Sequence, residues 1–148
     1  MADPKAWLAI LALQSQLQGI TRANQYLTDA GNAVFVEPAQ RPQNAALGIN
    51  ITTQHIDRWQ GDRPNKRGRD LALLVEAAIS VDMDNAHQYA HQLIEDIEAC
   101  IASNAVNGAL PAVPGMKPLE IDTIDVAERP EGLPIILVQL VIIAGYLR

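Results

Sequence analysis

Two histidines four residues apart, His87 and His91, come nearest in this chain to a spacing that does chemistry. On a helix that spacing turns both imidazoles to one side, and a third ligand would complete a zinc site. Gln88 follows His87, so the general-base glutamate of a His-Glu-x-x-His motif is missing. No carboxylate or cysteine stands out as the third ligand, and His55 lies in a segment that reads as a strand. A small metal-dependent hydrolase using His87 and His91 is therefore an alternative, set against two exposed helix histidines with no metal. Asp122 and Asp125 could pair as acid and base, but in a strand they read as solvated edge residues. Cys100, the only cysteine, excludes an intrachain disulfide and fits a reducing compartment. Its place in a helical pattern marks it as a small buried hydrophobe. The glycines at 61, 68, 108, 115 and 132 are isolated, so no phosphate-cradling loop exists, and there is no Gly-x-Ser-x-Gly elbow. The expectation is a protein with no catalytic residue and no cofactor, and hence not an enzyme.

Composition agrees with a structural role. The 148 residues suit one domain, 1–148, with a sizeable core, and 49% hydrophobic with 19% charged is ordinary for a globular chain. A formal net charge of −6 argues against a dedicated DNA-binding module. The basic residues are nevertheless clustered: Arg58, Arg63, Lys66, Arg67 and Arg69 are close neighbours in sequence. The apolar run 6–13 is short and lacks the cleavage pattern of a secretory leader. No stretch is long and apolar enough for a membrane helix.

The elements that must position these residues follow from periodicity. Residues 4–20 predict a helix, with Asp3 as cap, Pro4 in the first turn, and Trp7, Ile10, Leu11 and Leu17 on one stripe. Residues 21–32 are polar and end in a turn, with room for a short helical turn. A short strand at 34–36 is followed by a proline-rich loop. Segments 47–59 and 69–81 alternate apolar and polar, which predicts a long antiparallel hairpin joined by the polar loop 60–68. Asp82 and Asp84 offer a cap and acidic charge for a helix over 84–103. Its apolar stripe is Ala86, Ala90, Leu93, Ile94, Ile97 and Ile101, with Glu95, Asp96 and Glu98 off it. Segment 119–128 is a strand whose apolar phase slips by one near Thr123, which a β-bulge explains.

The last strand, 133–147, breaks the rule of alternation. Ile135, Leu137, Val141 and Ile143 lie on one face, and Ile136, Val138, Leu140 and Ile142 on the other. An antiparallel strand with one wet face alternates; this one needs cover on both. Helices from so short a chain supply one layer, so the other face is expected to meet another subunit. The predicted fold is α+β, an antiparallel sheet of about four main strands packed against two helices, in the order α-β-β-β-α-β-β. Leu71, Leu73, Val75, Leu93, Ile94 and Ile97 are expected to share one core.

Three pieces in order, Arg67 to Val81, Asp82 to Glu98, and Leu119 to Val126 with the run from Glu131 to Tyr146, resemble the tail terminator (tail completion) proteins of long-tailed bacteriophages. The resemblance covers roughly residues 45–148, and the N-terminal helix fits it as well. It implies a homo-oligomer, a hexameric ring in the virion seated on the tail tube protein; separately, the net charge of −6 makes copies repel at low salt, which allows a monomer when free. The resemblance implies that the ring stops tube growth, meets the head–tail connector proteins and lets DNA pass without reading it. The location implied is the virion tail of a siphophage, assembled in the host cytoplasm; another tail or neck component, such as a tube subunit, is the near alternative. The family has no active site to carry over. The interface residues expected are Arg63, Lys66, Arg67 and Arg69 of the basic loop, with Ile136, Val138, Leu140 and Ile142 of the last strand.

Overall fold

The structure is a computed structural model and describes residues 3–37, 48–58, 68–102 and 115–147. The chain runs α1 (Lys5–Leu17), β1 (Val34–Phe35), β2 (Ile49–Arg58), β3 (Gly68–Ser80), α2 (Ala86–Ala102), β4 (Glu120–Glu128) and β5 (Ile135–Leu147). The strands form one sheet in the order β1-β2-β3-β5-β4. This is the α+β fold expected, with one strand more than the four main ones. The addition is β1, which pairs parallel to β2 through Val34 and Phe35. All the other pairs are antiparallel.

The centre of the sheet is β3 against β5, paired from Gly68 opposite Leu147 to Ser80 opposite Ile135. Both strands are rich in β-branched and other aliphatic residues that pack on a pleated surface. Their inward residues, Leu71, Leu73, Val75, Ala77 and Ile79 on β3 and Ile136, Val138, Leu140, Ile142 and Ala144 on β5, are all buried. The two helices cover that face. α2 brings Leu93, Ile94, Ile97 and Ile101 to it, and α1 brings Ile10, Leu13 and Leu17. The six residues expected to share a core do so.

Both helix starts differ from expectation. Pro4 occupies the cap position of α1 with an extended ψ of 142°, and no side chain caps that end. α2 is entered through Asn85 in the left-handed conformation, φ 60°, whose carbonyl accepts the first helical bond from Tyr89. Asparagine tolerates that conformation, and Asn85, not Asp82 or Asp84, is the residue that precedes the helix. Between α1 and β1 the chain makes two short 3-10 turns, Arg22–Asn24 and Ala30–Asn32. Gly31 is needed there: a Cβ on it would lie 2.6 Å from the Leu17 carbonyl oxygen, where the turn crosses the end of α1.

Two bulges interrupt the pairing. The one between Ile121 and Thr123 in β4 is where the apolar phase slips. The other, between Thr53 and His55 in β2, left no trace in the hydrophobic pattern, because the residues around it are polar on both sides.

Candidate assembly interface

Among the described residues no helix packs on the second face of the sheet. Directly opposed residues give its rows. Asn50, Glu76, Gln139 and Asp125 form one row; Thr52, Leu74, Val141 and Thr123 the next; His55, Ala72, Ile143 and Glu120 the third. Leu137 and Ala78 extend the aliphatic part. The middle of the face is therefore aliphatic, and its β2 and β4 margins are polar.

Along β5 the burial pattern alternates between buried and half-buried over Ile135 to Ala144, with no fully exposed position. Ile135, Leu137, Val141 and Ile143 are the half-buried set. They are large aliphatic side chains that the folded chain leaves partly in water. The polar row across them is tied together: Gln139 donates to the Glu76 carboxylate at 2.9 Å. Asn50 Oδ1, at the end of the same row, is buried with no hydrogen-bond partner among the described residues.

This corrects the sequence reading in one respect. Ile136, Val138, Leu140 and Ile142, expected at an interface, lie under the helices and are at most 4% exposed. Both faces of β5 are apolar, and the hydrophobic pattern alone did not say which one the helices would take. The face left for contacts is the odd-numbered one. Arg63, Lys66 and Arg67 lie outside the described residues. Arg69 is directly opposite Arg58 on β2 and Tyr146 on β5, near the tip of the β2–β3 pair.

Among the described residues the sheet also ends in two open edges. β4 pairs only with β5, and all its residues but Ile121 are exposed. β1 reaches only Ile49 and Asn50 of β2, and β2 from Thr53 to Arg58 is exposed.

The residues that could have done chemistry are scattered. His87 and His91 are exposed on the first turns of α2, with ring centroids 4.9 Å apart and edge to face. His87 Nε2 lies 3.7 Å from Glu128 Oε1. No group of three metal-ligating side chains converges among the described residues. His55 is on the far face of β2, beside Asp57 at 3.1 Å. Asp122 and Asp125 are exposed on the β4 edge. Cys100 is buried, its thiol donates to the Gln16 carbonyl at 3.3 Å, and burial pushes its pKa up, away from a nucleophilic thiolate. No described helix is long and apolar enough to cross a membrane.

The chain matches, over 95% of its length, a solved chain from a structure described as "Virion of native gene transfer agent (GTA) particle". The match covers 98% of that chain with a TM-score of 0.60 and 15% sequence identity. At that identity the two share a fold. No protein-family model matches, and no curated protein matches in sequence.

One polar site escaped the sequence reading. Asp96 is 2% exposed, inside the core rather than off the apolar stripe. Its carboxylate accepts from Leu27 N at 2.9 Å, Thr28 N at 2.8 Å and Thr28 Oγ1 at 2.6 Å. A charge buried that deeply needs such a full set of donors. Gln16 and Cys100 make a second tie, with Gln16 Nε2 donating to the Cys100 carbonyl at 2.8 Å. These bonds fasten the polar connector and α1 to α2. They stiffen the helix layer and leave the other face of the sheet unaltered.

Proposed function

We propose that this protein is a structural component of a phage-like particle and, within that class, a tail terminator. Copies form a ring on the end of the tail tube, stop its growth and offer the surface that the head connector joins. The observation that carries the coarser part is the likeness to a chain from a gene transfer agent virion, which spans nearly the whole of both chains. The helix-free face supports an assembly role independently. Exposed aliphatic patches beyond a few hundred Å² are rare on monomers, and burial contributes about 25 cal/mol per Å². Here that face offers Leu74, Leu137, Val141 and Ile143 together. The terminator role, the six-fold count, the virion-tail location and the passage of DNA through the ring rest on the resemblance of residues 45–148 to that family.

The test is deletion of the gene from a phage genome that carries it, followed by electron microscopy of the particles. Overlong tails support the terminator. Absent tails turn the reading into a tube subunit, and normal tails overturn both.

A further inference from the structure

We propose that copies of this protein join head to tail, the outer edge of β4 in one copy docking on the outer edge of β2 in the next. The inference deepens the ring reading and rests on it for the number of copies; the edges themselves are properties of this chain. A strand edge presents unpaired N–H and C=O groups and is a template for another strand. This sheet has two such edges among the described residues, β4 along its length and β2 beyond Asn50.

Three observations make the edges complementary. The first is charge. β4 carries Glu120, Asp122, Asp125 and Glu128 and no basic residue. At the other edge Arg58 lies directly opposite Arg69, and no described acidic group pairs with either. Like charges directly opposed are destabilising, so a carboxylate from outside is favoured there. Asp57, on the same edge, lies opposite Asp70 on the other face of the sheet, with His55 Nε2 3.1 Å from its carboxylate.

The second is apolar exposure. Ile56 on β2 is 44% exposed, and Ile124 and Val126 on β4 are 40% and 37% exposed. Their partners across the sheet are the buried Leu71, Leu140 and Val138. All three therefore lie on the helix-bearing face, at its opposite margins, and joining the edges brings them together.

The third is direction. β2, β3, β5 and β4 alternate, so β4 runs opposite to β2. When the sheet of one copy continues into the next in the same orientation, the new pair is antiparallel. An antiparallel register with Ile56 opposite Ile124 brings Arg58 to the bulged segment of β4 around Asp122. Two β4 edges would repel, so the contact is heterologous, and a heterologous contact closes into a ring or grows as a filament.

The experiment uses the full chain with Ile56→Cys and Ile124→Cys, oxidised at high protein concentration and low salt. Native Cys100 is buried. The expected product is a ladder of disulfide-linked oligomers, at least tenfold weaker in either single-cysteine chain. Arg58→Asp or Asp122→Arg added alone should suppress the ladder at least tenfold, and the two together should restore it. No ladder, dimers formed equally by the single variants, or no rescue in the combined chain overturns the interface. Circular dichroism of each variant checks that it is folded. An absent ladder with overlong tails in the deletion phage would sink the interface and leave the terminator standing; a ladder with normal tails does the reverse.

Discussion

The two faces of β5 are nearly the same in chemistry and opposite in fate. Ile136, Val138, Leu140 and Ile142 are sealed by the helices, whereas Ile135, Leu137, Val141 and Ile143 remain half in water. The difference lies in what packs above them. One face receives α1 and α2, tied together through Gln16 and Cys100, with Asp96 of α2 holding the connector at Leu27 and Thr28. The other receives nothing from the described residues. A sheet apolar on both faces with one layer of helices is two layers of a three-layer structure, and none of the described residues supplies the third.

Adjacent residues on the two faces give the sharpest test. Leu140→Asp buries an unpaired charge and is expected to cost about 4 kcal/mol or more, a large share of a domain's stability. Val141→Asp, one position on, is expected to cost about 1 kcal/mol in the free protein while abolishing assembly onto tails. Urea denaturation and complementation of the deletion phage measure the two. Equal destabilisation by both would mean that the faces do not differ as described.

A second neighbouring pair lies within the helix layer. Asp96→Ala leaves two backbone N–H groups and a buried hydroxyl without their acceptor, at about 3 kcal/mol, whereas Glu95→Ala on the exposed side should stay within about 0.5 kcal/mol. Denaturation curves for the two variants decide it.

A shallower effect is expected at alkaline pH. The Tyr89 pKa is raised above 10.0 chiefly by burial, opposed by its hydrogen bond with Thr28 and reinforced by Asp96. The Cys100 pKa is raised above 9.0, again chiefly by burial. For a raised pKa the unfolded chain loses its proton first, so stability is full below the unfolded value and falls as pH rises through the folded one. The contribution of these two groups should therefore be constant below about pH 8 and be lost as pH rises beyond 9 and then 10. Tyr89→Phe should flatten the part beyond pH 10; an unchanged slope would remove Tyr89 as its source.

The smallest effect is expected at His87. With His91 and Glu128 exposed around it, His87→Ala should change stability by less than about 0.5 kcal/mol. Elemental analysis of the parent should find no stoichiometric zinc. Zinc that disappears in the His87→Ala, His91→Ala double variant would revive the hydrolase.

Periodicity carried most of the fold. The two-residue repeat of Leu71, Leu73 and Val75 and the helical stripe of Leu93, Ile94 and Ile97 have one solution each, burial on that side. The slip at Thr123 exposed a bulge because apolar residues flank it, whereas the bulge before His55 was hidden among polar neighbours. Asp96 was unreadable for a different reason. Its donors come from Leu27 and Thr28, far off in sequence, and local pattern reads an acid as solvated. Parallel pairing of β1 was equally hidden, since two residues carry no register. For the proposed interface, the sequence marked β5 but not the side of it, which is a decision of tertiary packing.

The position of β5 in the sheet also governs when the fold can form. It comes last of the described strands, after β4, yet it lies between β3 and β4. A nascent chain in which residue 135 has not emerged has β2 and β3 as a hairpin with an unmatched edge, and β4 with nothing to join. The central contacts link Gly68 to Leu147 and Ser80 to Ile135, separations that make closure slow. Until β5 is inserted, the aliphatic edge of β3 is open to other chains.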